Sequence, residues 1–299
     1  MSSIDTVLMT GKPVATALYE RLKPRIEVLG QKGITPGLVA LLVGDDPASA
    51  IYVGSKTRKF EELGLLAETR TLPGDISRDD LLAVIAELNA ADRFHGLLVQ
   101  LPLPNHLPAN DLLESVAPAK DIDGFHPFNL GRLLAGNPTF IPCTPQGILE
   151  LLSHYGITVA GRHAVIVGRS NIVGKPLAAL LSAKQPSGNA TVTLCHTGTA
   201  NLAHHTRQAD LLIVASGQAG LVTPDMVTPG VVIVDVGINR TGDDSPKGYH
   251  LRGDVDTEKM LGIAQAITPV PGGVGPLTVA MLVSNTVLAA ERSAGVVHN

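Results

Sequence analysis

The feature that most constrains this chain is a rhythm of short apolar runs separated by amphipathic stretches. "GLVALLVG" (37–44), "LAETRTL" (66–72) and "HGLLVQLP" (95–102) form one series. "HAVIVG" (163–168), "ATVTLC" (190–195), "ADLLIVAS" (209–216) and "GVVIVDVG" (230–237) form a second. Runs of this length with little polar alternation predict strands buried on both faces. The segments between them carry helical periodicity, as in "SRDDLLAVIAELNA" (77–90), so the pattern predicts parallel strands covered by helices.

Between the two series, residues 118–144 are rich in Pro, Gly, Asn and Asp and read as a crossing between domains. Beyond it, "TPQGILELLSHYGI" (144–157) predicts a helix capped by Thr144 with Pro145 at its first position. A last strand near "AITPV" leads into "PGGVGP" and a helix from Leu277 to Arg292. The predicted fold class is α/β, with two α/β domains, the second of nucleotide-binding type. The expected division is 1–140 and 141–275, with a C-terminal helix over 276–299 joining the first domain.

The 299 residues carry a formal net charge of −4 and only 17% charged side chains, with no long basic run. Nucleic-acid binding needs a concentrated Lys/Arg footprint, so that class is excluded. The most apolar long segment, "LTVAMLVSNTVLAA", is interrupted by Ser284, Asn285 and Thr286 and is too short for a bilayer, which takes about 20 apolar residues. The N-terminus lacks the basic start and apolar core of a signal peptide. The two cysteines, Cys143 and Cys195, form no C-x-x-C pair. These features predict a soluble, cytoplasmic protein with both thiols reduced.

"HAVIVGRSNIVGKP" (163–176) reads as a buried strand, a tight turn and a helix start. It departs from G-x-G-x-x-G: Gly168 fits the first position, Ser170 replaces the second, and Val173 stands at the third with Gly174 just after. Five residues separate Gly168 from Gly174 and Pro176 follows Lys175, so it is not a Walker loop. Backbone N–H groups at a helix start, with Arg169 beside them, still suit a phosphate. On glycine spacing alone, a dinucleotide site and an ordinary strand–turn–helix are equally good readings. The next strand ends in Cys195, His196 and Thr197 with no carboxylate. A carboxylate there would bond a ribose 2′-hydroxyl and repel a 2′-phosphate, so any dinucleotide bound is expected to be NADP.

In the first half, "IYVGSKTRKFEELG" (51–64) reads as a short amphipathic helix closed by glycine. Wound at about 100° per residue, it sets Tyr52, Val53, Phe60 and Leu63 on one stripe with Lys56 at its centre. Arg58 falls on the far side and Lys59 near the edge. "VQLPLP" (99–104) puts Gln100 at the carboxyl end of a strand, where α/β sheets bind ligands. "KDIDGF" (120–125) sets two carboxylates at a glycine turn. Each has an ordinary explanation. Lys56 snorkels, Tyr52 is core, and Asp121 and Asp123 shape a turn.

Together and in order, these stretches resemble the bifunctional methylenetetrahydrofolate dehydrogenase/methenyltetrahydrofolate cyclohydrolase family. The resemblance rests on "YVGSK" (52–56), "VQLPLP", "KDIDGF", "PCTPQG" (142–147), "GRSNIVGKP" (168–176), "DVGIN" (235–239), "GDVD" (253–256) and "PGGVGPLTVAML" (271–282). It implies NADP-dependent oxidation of 5,10-methylenetetrahydrofolate and hydrolysis of the methenyl product to 10-formyltetrahydrofolate. It also implies two lobes flanking a cleft, with tetrahydrofolate one-carbon derivatives as partners and a homodimeric assembly.

The resemblance makes Lys56 the catalytic lysine. A lysine on an apolar face near a cationic substrate loses proton affinity through desolvation and like-charge repulsion. It implies that Gln100 orients Lys56, that Tyr52 stacks on the aminobenzoate ring, and that Asp123 accepts hydrogen bonds from the pterin. Leu101, Pro271, Gly272 and Gly273 are expected to line the substrate, the glycines allowing close backbone approach. Thr278 is a weaker candidate, with helix capping as its other explanation. NADP is expected along Gly168, Arg169, Ser170 and Gly174, with His196 and Thr197 at the adenosine ribose and Ile238 at the nicotinamide carboxamide. No metal is implied. The alternatives are another two-domain NADP-linked dehydrogenase of the shikimate type, or a non-catalytic NADP-binding protein.

Overall fold

A computed structural model describes residues 4–242 and 248–296, apart from the side chains of residues 47 and 48. The chain divides into two compact units, one of residues 17–143 with 279–299, the other of residues 1–16 with 144–278.

The unit of residues 17–143 and 279–299 is built on a three-stranded parallel sheet, with Gly37–Val43 between Leu66–Leu72 and Gly96–Val99. All seven residues of Gly37–Val43 are buried, as its unbroken apolar composition requires of a central strand covered on both faces. Helix Arg78–Ala90 is capped by Ser77, whose hydroxyl accepts from Asp80 N. It buries Leu81, Ile85 and Leu88 against Val39, Leu41, Leu97 and Val99. Each fully buried Leu or Ile contributes roughly 1.5–3 kcal/mol.

Helix Pro47–Glu62 begins four residues before the predicted stretch, because Asp46 accepts from Ser49 N at 2.8 Å and caps it there. It ends at a left-handed Gly64 (φ +70°), with Gly64 N donating to Glu61 O and Leu65 N to Phe60 O. That pair of bonds is a Schellman closure.

The stretch expected to be only a crossing contains a helix, Pro127–Leu134, and residues 118–143 belong to this unit. Its Asn129, fully buried, donates to Pro118 O and Asp121 Oδ2, contacts that no local pattern announces. Helix Gly275–Ser293 contributes its later part. Asn285, which breaks the apolar run, donates to Ile122 O at 2.7 Å and Ile141 O at 3.1 Å. Glu291, 1% exposed, takes both bonds of a bidentate Arg25 at 2.8 and 2.6 Å.

The other unit carries a six-stranded sheet. In spatial order its strands are Val7–Leu8, Ala266–Ile267, Val232–Asp235, Leu211–Val214, His163–Val167 and Thr191–Cys195, and all five pairings are parallel. After His163–Val167 the chain runs outward to Thr191–Cys195, then returns across it to Leu211–Val214. This reversal is the point where open α/β sheets bind ligands beyond the carboxyl ends of their strands. Residues 1–16, assigned by the sequence division to 1–140, cluster with this unit, because Val7 and Leu8 pair with Ala266 and Ile267. Helix Cys143–His154 starts two residues before the predicted Pro145, so Thr144 is its second residue and not its cap. A hairpin of Asn239–Gly242 and Tyr249–Arg252 was not foreseen.

Candidate active site

In the unit of residues 17–143 and 279–299, the helix Pro47–Glu62 buries Val53, Lys56 and Phe60, with Lys56 only 7% exposed. Its Nζ donates to Gln100 Oε1 at 3.1 Å. Gln100 stands just past Gly96–Val99, its N bonded to Leu41 O, so the sheet delivers it at its carboxyl end. Its Nε2 donates to Leu101 O at 2.6 Å. That second bond turns the amide so that its oxygen faces Lys56.

Tyr52, one helical turn before Lys56, sets its ring centroid 5.5 Å from the lysine Nζ. It is 42% exposed and so is not core. Partial burial raises its phenol pKa.

Asp123 enters through the "KDIDGF" loop. Leu97 N donates to Lys120 O at 2.9 Å, and Gly96 faces Ile122 so closely that a Cβ there would lie 2.5 Å from Ile122 Cδ1. Gly124 is left-handed (φ +74°), and a Cβ on it would meet Pro142 N at 2.8 Å. Desolvation raises the Asp123 carboxyl, while the charge of Lys56 and a hydrogen bond from Cys143 pull it back. Asp121 does what the turn explanation predicts: it accepts from Phe125 N, His126 N and Asn129 Nδ2.

The sequence predicts no more for Cys143 than a reduced thiol. The residue is buried and free, but its thiol also bonds Ile122 O at 3.5 Å and faces Asp123. Burial and the neighbouring carboxylate push that thiol well above its usual range, which disfavours a thiolate nucleophile. Its position in "PCTPQG" was the available signal.

In the unit of residues 1–16 and 144–278, the turn after His163–Val167 is formed as a phosphate-binding turn would need. Gly168 has φ +127°, and a Cβ there would stand 2.2 Å from Ala215 O. Gly174 opens the helix Gly174–Ser182, and a Cβ on it would lie 1.9 Å from Gly168 O. Ser170 Oγ accepts from Val173 N, and Lys175 donates to Asn171 Oδ1. Arg169 is exposed and makes no ion pair among the described residues. Gly168 N donates to Cys195 O, which sets the His196 turn beside this loop. His196 Nδ1 accepts from Gly198 N, and His196 N donates to Thr199 Oγ1; Thr197 is exposed. A helix start, exposed cationic side chains and the lack of a carboxylate after Cys195 fit a dinucleotide carrying a 2′-phosphate.

Ile238 is 51% exposed beyond Val232–Asp235. Pro271 and Gly272 are exposed, Gly272 with φ +103° and open space around it. Gly273 is instead required by its own unit, since a Cβ would stand 2.7 Å from Pro269 O. Thr278 is the fourth residue of its helix and not a cap; its hydroxyl bonds that of Thr144 at 3.1 Å.

Residues 9–123 match the model of the tetrahydrofolate dehydrogenase/cyclohydrolase catalytic domain, and residues 142–294 match that of the NAD(P)-binding domain of the same family. The chain belongs to the tetrahydrofolate dehydrogenase/cyclohydrolase family. Among curated relatives, the bifunctional protein FolD 1 of Myxococcus xanthus is 53% identical over 287 residues, covering 95% of this chain and 98% of its own. Among solved structures, the bifunctional FolD methylenetetrahydrofolate dehydrogenase/cyclohydrolase of Campylobacter jejuni superposes with a TM-score of 0.90. It is 47% identical, covering 96% of this chain and 99% of that one. The Trypanosoma brucei methylenetetrahydrofolate dehydrogenase-cyclohydrolase, solved with NADP and an inhibitor, gives 0.91 at 35% identity, covering 98% and 99%. Membership of the tetrahydrofolate dehydrogenase/cyclohydrolase family decides against the shikimate-type alternative.

Proposed function

We propose that this chain is a bifunctional one-carbon folate enzyme. It oxidises 5,10-methylenetetrahydrofolate to 5,10-methenyltetrahydrofolate with NADP and hydrolyses that product to 10-formyltetrahydrofolate. The observation that carries the reading is Lys56, buried on an apolar helix face, bonded to Gln100 and next to Tyr52, in a chain of this family.

NADP, when bound, accepts a hydride from the methylene carbon. No proton leaves carbon in that step, so the work of the chain is to orient the folate. Tyr52 offers an exposed ring for the flat aminobenzoate, and Asp123 offers acceptors for the amino and ring N–H groups of the pterin. Leu101, Pro271 and Gly272 supply backbone contacts to the substrate, and Gly273, buried, holds the turn that presents Pro271 and Gly272.

In the hydrolysis, water adds to the methenyl carbon and gives up a proton, and the bond from that carbon to N5 breaks. Lys56 is the group suited to move protons between the water and the ring nitrogen. Gln100 holds its Nζ in one direction. Gly168, Arg169, Ser170 and Gly174 bind the phosphates of NADP, Arg169 with His196 and Thr197 the 2′-phosphate side, and Ile238 the carboxamide through its backbone.

The same reading makes the enzyme a cytoplasmic homodimer. Two unpaired, buried cysteines suit a reducing compartment, and no helix among the described residues is long and apolar enough to cross a membrane. Sedimentation equilibrium showing only monomer at micromolar concentration would remove the dimer.

An absorbance assay with 5,10-methylenetetrahydrofolate tests the activity. NADP should be reduced and the methenyl chromophore should form and then decay. If neither product appears, the functional reading is wrong.

A further inference from the structure

Two carboxylates outside the lysine site are buried without a cationic partner among the described residues: Asp235, 1% exposed, and Asp254, 0% exposed. Neither belongs to the acid–base chemistry above. A buried carboxylate is costly unless hydrogen bonds replace its water, and here donors converge on both.

Asp235 Oδ1 accepts from Gly237 N at 2.9 Å and Asp254 N at 3.0 Å, and its Oδ2 accepts from Val255 N at 2.8 Å. Asp254 Oδ2 accepts from Ser216 N at 2.6 Å, Ser216 Oγ at 2.9 Å and Gly217 N at 2.9 Å. Its Oδ1 accepts from Asn239 Nδ2 at 2.9 Å. The donors are Ser216 and Gly217 just past Leu211–Val214, Gly237 just past the adjacent Val232–Asp235, Asn239 at the start of Asn239–Gly242, and the segment 254–255.

The glycines of this region are fitted to the acids. A Cβ on Gly237 would stand 2.2 Å from Asp254 Oδ1, and one on Gly253 would stand 1.9 Å from Asp235 Oδ2. "DVGIN" and "GDVD" are therefore one device: each motif supplies a carboxylate, and each supplies a glycine that admits the other's carboxylate.

Ile238 sits between Gly237, whose backbone N–H is held by Asp235, and Asn239, whose side-chain amide is held by Asp254 and whose backbone pairs with Arg252. The Ile238 side chain is exposed, so what the network fixes is its backbone. We propose that Asp235 and Asp254 are positioning residues, which fix the backbone on both sides of Ile238 to receive the nicotinamide end of NADP. This rests on the reading of Ile238 given above. Burial and the nearby Asp254 push the Asp235 carboxyl up to about 6 against the pull of its three N–H donors, in keeping with two acids held close together.

The test uses the full-length enzyme and two variants, Asp254→Asn and the milder Asn239→Ala. NADP affinity is measured by calorimetry, hydrolysis of supplied methenyltetrahydrofolate is measured without NADP, and melting temperature is recorded. Asp254→Asn turns an N–H₂ toward donors and should weaken NADP binding about tenfold, and Asn239→Ala roughly threefold. Hydrolysis should stay within about twofold of wild type in both.

NADP binding unchanged in Asn239→Ala overturns the proposal, even if Asp254→Asn fails to fold. Hydrolysis falling in step with NADP affinity also overturns it, because that is the mark of a general fold defect. A wild-type enzyme that does not reduce NADP with methylenetetrahydrofolate would fail the functional reading itself. A wild type that does, beside variants that bind NADP normally, would fail only the positioning role.

Discussion

Lys56 Nζ and Gln100 Oε1 lie 3.1 Å apart, and the other end of the same amide is tied to Leu101 O at 2.6 Å. The amide cannot flip without setting its N–H₂ against the ammonium, so Gln100 fixes where Lys56 points. Lys56→Met keeps the apolar stem and removes the proton carrier. It should lower hydrolysis of supplied methenyltetrahydrofolate by about a hundredfold or more and leave NADP affinity in calorimetry unchanged. Wild-type hydrolysis would show that the lysine is only packing.

Arg169 is exposed beside Gly168, and no carboxylate follows Cys195. If its guanidinium binds the 2′-phosphate, Arg169→Ala removes a charge-assisted contact worth about 1.5–3 kcal/mol. The KM for NADP should rise roughly tenfold to a hundredfold, and that for NAD should hardly move. Equal losses with both cofactors would refute the assignment.

Gly64 closes the Lys56 helix at φ +70°, and a Cβ there would touch nothing within 4 Å. The cost of Gly64→Ala is thus purely backbone strain, about 1 kcal/mol. The urea midpoint should fall with the slope unchanged, and both activities should persist at low denaturant. No shift in midpoint would mean that the helix end rearranges freely.

Much of the fold was legible because its central strands, such as Gly37–Val43 and Leu211–Val214, are continuous apolar runs buried along their length. Leu66–Leu72 at the sheet edge is instead largely polar and only partly buried, not covered on both faces as its place in the series predicts. Lys56 was legible for the converse reason, as a charge at the centre of an apolar stripe. What local pattern could not reveal depends on partners far along the chain. The start of the Lys56 helix depends on the cap at Asp46, outside the apolar window. Helix Pro127–Leu134 is held by Asn129 reaching Pro118 and Asp121. Val7 and Leu8 are exposed and declare themselves only through Ala266 and Ile267. Cys143 read only as a reduced thiol, because it is the fold that brings Asp123 to it.

Asp121 offers a test in pH. It is 5% exposed, and desolvation pushes its carboxyl up to about 6 from 3.8 despite three hydrogen-bond donors, with Asp123 adding to the rise. The folded state therefore holds this proton to higher pH than the unfolded chain. The stability it contributes is fully present below about pH 4 and is lost as pH rises through about 6. A displacement of that size corresponds to about 3 kcal/mol. Asp121→Asn lacks the titration, so the stability difference, wild type minus variant, should shrink by up to that amount between pH 4 and pH 6 and then level off. Urea denaturation of both proteins across this range measures it. A difference that stays constant with pH would show that the Asp121 carboxyl titrates as an ordinary surface acid.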